Sequence, residues 1–357
     1  MQKSNGMNYA PRGKSAPVCA KGDFRVGVIG LDHGHIFGMS NGLVEAGAEL
    51  VGVYDPDPAK VENFRKAFPD AKAVSSKKAI LEDPSIHLVA SAAVPCDRCG
   101  IGLEAMDHGK DYFTDKPPFT TLDQIAAARK KVDQTGKKYA VYYSERLHVE
   151  AAVFTETLIA DGAIGRVVQV IGMGPHRISL SQRPGWFFEK EKVGGILVDL
   201  GCHQIEQFLF YSRAKDARVL SSKVANYKFK QYPGLEDFGD ATLLADNGAT
   251  NYFRVDWFTP DGLGVWGDGR AFILGTDGYI EMRKYIDVAR SKDGDQVFLV
   301  DHKGERQFSM TGQVGFPFFG ALILDSLNHT TKAYSQEVFF KAAELAVIAE
   351  QTAIRIE

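Results

Sequence analysis

The sequence predicts a mixed α/β protein in which a doubly wound parallel sheet is followed by an α+β region with a large open, mostly antiparallel sheet. Over residues 23–145, short apolar runs alternate with amphipathic helical patterns, as a parallel sheet with helices on both faces requires. Beyond them, strand patterns follow one another with turn signals such as DNGA and TDGY in between, as antiparallel neighbours do. The 357 residues, 45% of them apolar, are enough to bury two cores.

The strands and helices of the first half follow from hydrophobic periodicity. Apolar runs predict strands at 24–30, 48–55, 85–94, 111–118 and 137–143. Apolar positions at helical spacing predict helices at 36–47, 56–68, 100–109 and 121–136. We assign residues 23–145 to one domain and treat the polar segment 1–22 as an N-terminal arm.

The second half, residues 146–357, is predicted to form one α+β domain. A helix at 148–162 precedes the strands, a helical segment at 195–211 interrupts them, and a helix at 337–355 closes the chain. Strand character is found at 166–174, 218–227, 240–246, 249–258, 270–283 and 296–302.

Charge and composition exclude several classes of protein. The formal net charge of −3 comes from 42 basic and 45 acidic residues, with no basic block that would suit a nucleic-acid backbone. No apolar run approaches the roughly 20 residues that span a bilayer, and the first 22 residues lack the apolar centre of a secretory signal. Four cysteines in a chain of this length do not indicate a disulfide framework. We expect a cytoplasmic protein without a nucleic-acid or membrane partner.

The turn after the first strand, in the stretch RVGVIGLDHGHIFG, resembles the phosphate-binding turn of a dinucleotide domain. Gly30 fits the first glycine of that fingerprint, but Asp32 and His35 replace the second and third. Asp55 ends the next strand at the distance expected for a carboxylate that binds the adenosine ribose. Because no basic residue adjoins Asp55 in DPDP, NAD is favoured, with NADP not excluded. Asp32 is equally well explained as a helix N-cap.

The same turn allows a second interpretation, a metal site. His33 and His35 follow the first strand, and Cys96 and Cys99 follow a strand that should lie beside it. Two imidazoles and two thiolates are a zinc ligand set, which would make the protein a zinc-dependent hydrolase. The alternative, which we favour, is that these are loop side chains without a metal.

Three further residues form a candidate proton-handling set. Lys116 lies on the turn after a predicted strand, at the carboxyl edge where parallel sheets bind ligands. Asp199 and His203 are four residues apart, so both project from one face of a helix. A carboxylate beside an imidazole fixes its tautomer and raises its basicity. The alternative is a surface lysine and a pair that merely stabilises a helix.

The order of these features resembles the Gfo/Idh/MocA family, which includes glucose-fructose oxidoreductases and inositol dehydrogenases, from Phe24 to the last helix. The family motif E-K-P appears as Asp115-Lys116-Pro117, with a shorter carboxylate. Cys99 stands where the family often has a histidine after Pro95. The other matching segments are GAIGRV at 162–167, SERLH at 144–148, and the G-G-x-x-x-D-x-G-x-H motif as Gly194, Gly195, Asp199, Gly201 and His203.

The resemblance implies an NAD(P)-dependent oxidoreductase that moves a hydride between a nicotinamide cofactor and a secondary alcohol of a sugar, sugar derivative or cyclitol. It implies catalytic roles for Lys116, Asp199 and His203. Residues expected at the cofactor are Gly30, Asp32, His33, His35, Asp55, Pro95 and Lys116. Residues expected at the substrate are Lys116, His176, Arg183, Trp186, Asp199 and His203.

The resemblance also implies that the second domain binds the substrate and forms the oligomer interface. We expect a homodimer or homotetramer assembled through the C-terminal sheet, with the substrate between the two domains. A non-catalytic nucleotide- or sugar-binding regulator of the same fold remains the alternative, because the glycine turn departs from its fingerprint.

Overall fold

The computed structural model describes residues 11–331 and 335–357, which form two compact units. The first, the parallel-sheet unit, comprises Lys14–Tyr142 and Phe316–Phe340. The second, the nine-stranded unit, comprises Tyr143–Gly315 and Lys341–Glu357, together with residues 11–13 of those described.

The parallel-sheet unit contains a six-stranded sheet in the order β3-β2-β1-β4-β5-β6, and every pairing in it is parallel. Its strands are β1 (Arg25–Ile29), β2 (Glu49–Tyr54), β3 (Lys72–Ala73), β4 (Leu88–Ser91), β5 (Asp111–Asp115) and β6 (Tyr139–Tyr142). The prediction of a doubly wound parallel sheet is confirmed. The strand order reverses between β1 and β4, and ligands of such sheets bind at the carboxyl ends of the strands beside that point.

Five helices connect these strands: α1 (His35–Glu45), α2 (Pro58–Ala67), α3 (Lys77–Leu81), α4 (Pro95–Asp107) and α5 (Leu122–Thr135). The side chain of Asp57 accepts a hydrogen bond from the amide of Ala59 and so caps α2. The side chain of Thr121 caps α5 in the same way through the amide of Gln124. Gly136, with a φ of 65°, ends α5 in the left-handed conformation that favours glycine.

Two segments outside the predicted first domain pack within this unit. Residues 14–22, separated as an arm in the sequence analysis, contact the end of α1, where Val18 N donates to Ala46 O at 2.9 Å. The helix α10 (Pro317–Leu327) lies against α1 because Gly42 has no side chain. A Cβ at Gly42 would lie 2.3 Å from the ring of Phe319.

The nine-stranded unit is a mixed sheet in the order β14-β13-β12-β11-β7-β10-β9-β8-β15. The pairs β7–β10 and β8–β15 are parallel and the other six are antiparallel, so the predicted mostly antiparallel sheet is confirmed. Its strands are β7 (Val167–Pro175), β8 (Ala217–Ala225), β9 (Phe238–Ala245), β10 (Thr250–Asp256), β11 (Arg270–Gly275), β12 (Gly278–Arg283), β13 (Gln296–Asp301), β14 (Gly304–Ser309) and β15 (Ile354–Ile356).

The helices of this unit cover one face of the sheet. They are α6 (Ser144–Leu147), α7 (Glu150–Ala160), α8 (Lys190–Val193) and α9 (Cys202–Ser212), and α11 (Gln336–Gln351) enters the unit at Lys341. Helix α9 packs on β7, where glycines leave room for it. A Cβ at Gly172 would lie 2.3 Å from the side-chain oxygen of Gln204. The glycines of β7 therefore allow the close approach of α9, the helix that contains His203.

Candidate active site

The turn after β1 has the tight backbone conformation that the first glycine of a dinucleotide fingerprint allows. Gly30 has a φ of +83°, in the left-handed region that favours glycine. A Cβ at this position would lie 2.7 Å from the Cβ of Ala93, so the turn also packs too closely against the end of β4 for any side chain. Gly30 thus performs the role predicted for the first glycine of the fingerprint, and the turn fits a bound pyrophosphate.

Asp55, at the end of β2, stabilises this turn. Its carboxylate accepts the amide of Leu31 at 2.7 Å and that of Asp57 at 2.9 Å. Lys60 on α2 lies 3.8 Å from Asp55 and donates to Asp32 at 2.6 Å. No basic residue adjoins Asp55 in the sequence, and Lys60 reaches it because the first turn of α2 brings this lysine back to the end of β2.

The interpretation of Asp32 as a helix N-cap is wrong. Gly34 is the N-cap residue of α1, and no side chain caps that end. Asp32 instead pairs with Lys60, and partial burial, which would lower the pKa of Lys60, is outweighed by Asp32, Asp55 and Asp57, which raise it. Two carboxylates close to one ammonium leave a net negative charge beside the predicted ribose site.

Asp115, the last residue of β5, joins the two histidines of the turn in one buried cluster. Its Oδ1 lies 2.8 Å from Nδ1 of His35, and its Oδ2 lies 3.0 Å from Nδ1 of His33. Arg98 on α4 donates to Oδ2 at 3.1 Å, and the amide of Lys116 donates to Oδ1 at 2.8 Å. Each carboxylate oxygen therefore has two partners, which is the full capacity of a carboxylate.

The cluster has a strong effect on proton affinities. Burial lowers the pKa of His33 to about 3, and His35 adds to the effect, so the His33 imidazole is neutral. Burial would raise the pKa of Asp115, but His35, Arg98 and His33 outweigh it and hold the pKa well below its ordinary value. The aspartate that replaces the family's glutamate is thus an ionised anchor for the turn.

The zinc interpretation that combined His33 and His35 with Cys96 and Cys99 is wrong. Among residues 11–331 and 335–357, the His, Cys, Asp and Glu side chains close enough to share a metal are His33, His35 and Asp115. The thiol of Cys99 instead donates to Gln124 O at 3.4 Å. The guanidinium of Arg98 already supplies a positive charge to Asp115, which disfavours a metal cation there.

Lys116 and Pro95 lie at the carboxyl ends of adjacent strands. Lys116 follows β5 directly and is 5% exposed, so its ammonium is not a surface group. Pro95 is the first residue of α4, and Arg98 one turn later donates to the carbonyls of Ala93 and Pro117. This guanidinium links the ends of β4 and β5.

In the nine-stranded unit, Asp199 and His203 lie on one helical segment. A π-helical turn, Leu197–Gly201, contains Asp199 and runs directly into α9, where His203 is 2% exposed. Single π-turns are frequent at functional sites. Asp199 lines a small cleft with Phe187, Lys190, Glu236 and Trp257 among others.

Arg183 stacks on two of the aromatic rings that line this cleft. Its guanidinium carbon lies 4.4 Å from the ring centroid of Phe187 and 4.8 Å from that of Trp257, and its Nε donates to Ile178 O. Burial lowers the pKa of Arg183 to about 10, although the charge of Asp199 opposes the shift. The arginine is therefore fixed by stacking and faces a carboxylate.

The other predicted substrate residues occupy distinct surroundings. The His176 ring lies 4.3 Å from that of Trp266, and its Nδ1 is 3.1 Å from Gly174 O. Trp186 is half-buried beside Phe187. Arg177 donates to the carbonyls of Pro260 and Leu263, so it organises a loop.

Sequence reasoning missed a buried ion pair next to these residues. Lys284, which is fully buried, donates to Glu145 at 2.7 Å. Glu145 lies within SERLH, a segment noted for its position and not for this carboxylate. No local pattern marks either residue, because their partners are far apart in the sequence.

The fold and the glycine turn are those of a dinucleotide-binding protein. Two family models agree: the NAD-binding Rossmann-fold domain of the oxidoreductase family matches residues 24–143, and the GFO/IDH/MocA C-terminal domain matches residues 155–281. A solved structure of a protein assigned as an oxidoreductase, from Erwinia carotovora atroseptica SCRI1043, is 49% identical and covers 94% of this chain and 100% of that one, with a TM-score of 0.91. The chain belongs to the Gfo/Idh/MocA family of oxidoreductases.

More distant relatives have named activities. The scyllo-inositol 2-dehydrogenase (NAD(+)) of Bacillus subtilis is 25% identical over 72% of each chain. The D-xylose dehydrogenase of Paenarthrobacter nicotinovorans is 25% identical over 41% of this chain and 38% of its own. Levoglucosan dehydrogenase, solved with NADH and levoglucosan, shares the fold with a TM-score of 0.78 at 17% identity, over 92% of this chain and 97% of its own.

Across residues 11–331 and 335–357, no helix combines the length and the apolar character that a membrane crossing needs.

Proposed function

We propose that this protein is an NAD-dependent dehydrogenase that oxidises a secondary alcohol of a sugar, sugar derivative or cyclitol. The observation that carries the proposal is the buried helical segment with Asp199 and His203, found in a chain whose other unit has a dinucleotide turn. Relatives named for dehydrogenation of inositol and xylose support the substrate class.

The proposed chemistry assigns a proton and a hydride to different acceptors. A bound nicotinamide supplies the hydride acceptor at C4. His203 takes the hydroxyl proton of the substrate as the C–H bond breaks, and Asp199 favours the protonated imidazole. Lys116 polarises the hydroxyl oxygen and stabilises the charge that develops on it. The proton thus moves from the substrate hydroxyl oxygen to the imidazole nitrogen of His203, while the electron pair of the C–H bond leaves with the hydride.

The parallel-sheet unit would hold the cofactor through the residues predicted from the sequence. Gly30 admits the pyrophosphate, and Asp55 accepts from the ribose hydroxyls with the lone pairs left after Leu31 and Asp57. The remaining groups proposed at the cofactor are Asp32, His33, His35, Pro95 and Lys116. Because Lys60 is neutralised by two carboxylates, the unphosphorylated cofactor is favoured.

The nine-stranded unit would bind the substrate. His176, Arg183 and Trp186 are proposed to contact the sugar, since aromatic rings stack on its apolar face and polar groups bind its hydroxyls. Arg183 is already fixed over two rings, which limits the entropy lost on binding. We further propose that the protein is cytoplasmic and assembles through this sheet.

His203→Ala tests the assignment of the base. We expect kcat to fall by about 100- to 10,000-fold, as loss of a general base usually costs, with the Kd for NAD unchanged. His302→Ala, an exposed histidine between β13 and β14, is the matched control and should retain activity. The measurement is initial-rate kinetics on a panel of inositols, aldoses and sugar acids, after titration with NAD and NADP.

The same panel separates the alternatives. A wild-type protein that binds NAD and turns over none of these alcohols would be a nucleotide-binding regulator. Full activity in His203→Ala would refute the assigned base without affecting the cofactor site.

A further inference from the structure

A buried ion pair in the nine-stranded unit has no part in the proposed chemistry. Glu145 on α6 is 2% exposed, and Lys284, just after β12, is fully buried. Their side chains are 2.7 Å apart at Glu145 Oε2. Removing two charges from water is costly, so a pair at this depth suggests a role besides stability.

A second donor fixes the orientation of the Glu145 carboxylate. Gln204 Nε2 donates to Oε2 at 2.9 Å, so that oxygen carries two hydrogen bonds. The Gln204 amide is itself confined by β7, since side chains at Gly172 and Gly174 would collide with it. The carboxylate therefore cannot rotate without breaking both bonds.

The other oxygen of Glu145 faces the imidazole of His176. His176 Nε2 lies 4.0 Å from Oε1. Burial would raise the pKa of Glu145, but Lys284, His203 and His176 outweigh it and hold the pKa far below its ordinary value. Because the attraction is mutual, the ionised Glu145 favours the protonated form of His203.

Other titratable groups also surround His203. The Tyr143 ring, at the start of α6, has its centroid 6.0 Å from that of His203, and burial raises its pKa well above the ordinary value. Glu206, one turn further along α9, is paired with Arg146 at 2.8 Å. Asp199 precedes His203 by four residues. Glu206 is thus neutralised by its own partner, whereas the Oε1 of Glu145 lies near the imidazole of His176.

We propose that Glu145, held in place by Lys284 and Gln204, is a positioning residue that sets the proton affinity of His203. The inference rests on the proposed function, in which His203 accepts the substrate proton. The carboxylate stabilises the imidazolium that forms as hydride leaves, and Lys284 limits that stabilisation. Without Lys284, the imidazole of His203 would hold its proton to a higher pH.

Removing the charge of Glu145 and removing that of Lys284 should move the acid limb of the kcat/KM profile in opposite directions. Glu145→Gln removes the negative charge and leaves Lys284, so the acid limb of the kcat/KM profile should move down by about one pH unit or more. Lys284→Met leaves the carboxylate uncompensated, so the limb should move up. The double variant Glu145→Gln/Lys284→Met removes both charges and should return the limb close to its wild-type position. A role confined to stability would not produce this pattern.

A second measurement does not need a substrate. NMR titration of protein labelled with ¹³C at histidine Cε1, with the His203 signal assigned from His203→Gln, reports its protonation directly. We expect the midpoint of the His203 titration to move down in Glu145→Gln and up in Lys284→Met, as in the kinetic profile. If the wild type turns over no alcohol but the NMR displacements are present, the proposed function fails and the proposal about Glu145 stands.

Glu145→Asp keeps the charge, and as a conservative change it tests the proposal even if the other variants do not fold. It withdraws the carboxylate by one methylene group, so the His203 titration should shift down by less than in Glu145→Gln. Folding is verified by thermal melting and by NADH fluorescence titration. The proposal would be overturned if folded Glu145→Gln and Lys284→Met left the His203 titration and the acid limb at the wild-type position, or moved them in the same direction.

Discussion

At the scale of single residues, the most informative feature is how charged side chains are neutralised. Asp115 uses every acceptor position of its carboxylate on two histidines, an arginine and a backbone amide. Lys60 is held between Asp32 and Asp55. Neither arrangement follows from sequence spacing, because the partners come together through the ends of different strands. The sequence identified His33 and His35 as unusual, and the fold supplies their partner.

Asp32→Asn tests the charge balance at the ribose end of the cofactor. The change releases Lys60 from its strongest partner, so the ammonium becomes available to a 2′-phosphate. We expect the ratio of the NADP and NAD dissociation constants to fall by about 10-fold, which is one charge-assisted hydrogen bond. Asp70→Asn, which releases Lys21 at an exposed site, is the control and should leave the ratio unchanged. An unchanged ratio in Asp32→Asn would show that Lys60 does not reach the cofactor.

At the scale of elements, the start of the segment with Asp199 is fixed by two carboxylates. Glu236 accepts the amide of Ile196 at 2.9 Å, and Glu350 on α11 accepts that of Leu197 at 3.2 Å. Lys190 binds both carboxylates at 2.5 Å. Burial and the charge of Glu236 raise the pKa of Glu350 to about 7.

Glu350→Gln should therefore change how stability depends on pH. The folded protein retains a proton on Glu350 that the unfolded chain loses near its ordinary pKa, so this contribution is complete at low pH and is lost as pH rises through about 7. We expect the wild type to lose about 2 kcal/mol more than Glu350→Gln between pH 5 and 8 in urea unfolding. Glu344→Gln, on the same helix, should behave as the wild type. Equal pH slopes in all three proteins would contradict the expectation.

The sequence predicted an element where one of its faces is buried and the opposite face is exposed. It missed elements that are exposed on all sides or apolar on most sides. Five strands of the parallel sheet and the helix with His203 were found through their apolar periodicity, whereas β3, two exposed residues, was missed. Strand β14 was missed because GERQFS is exposed along nearly all its length and has no apolar face. Helix α10 was missed for the opposite reason, since the run PFFGALILDSL is apolar on most sides. Buried charges such as Glu145 and Lys284 carry no periodic signal.

At the scale of the whole molecule, the outer face of the nine-stranded sheet is unusually apolar. It carries Tyr252, Phe272, Leu274 and Tyr279, each 38–46% exposed. Phe272 and Tyr252 both adjoin Ile171 on β7, and Leu274 is opposite Tyr279, so the four side chains share one face. Apolar patches of this kind mark protein interfaces, which supports the proposed self-association.

Phe272→Glu/Leu274→Glu tests this face. Two carboxylates in the patch would have to be desolvated on association, so we expect the oligomer to dissociate to monomers. Val44→Glu, which changes an exposed apolar residue on α1, should keep the wild-type mass. Light scattering coupled to size-exclusion chromatography gives the masses. A monomeric wild type, or a variant of unaltered mass, would rule the face out.

The charged outermost strand β14 limits how large such an assembly can grow. Its exposed backbone edge could template another strand, but Glu305 and Arg306 border it, and charged side chains on an edge disfavour pairing with another molecule. Contact through the sheet face alone uses the same patch on both copies and so closes on itself. At high concentration we expect finite particles of fixed stoichiometry in place of fibres that lengthen without limit.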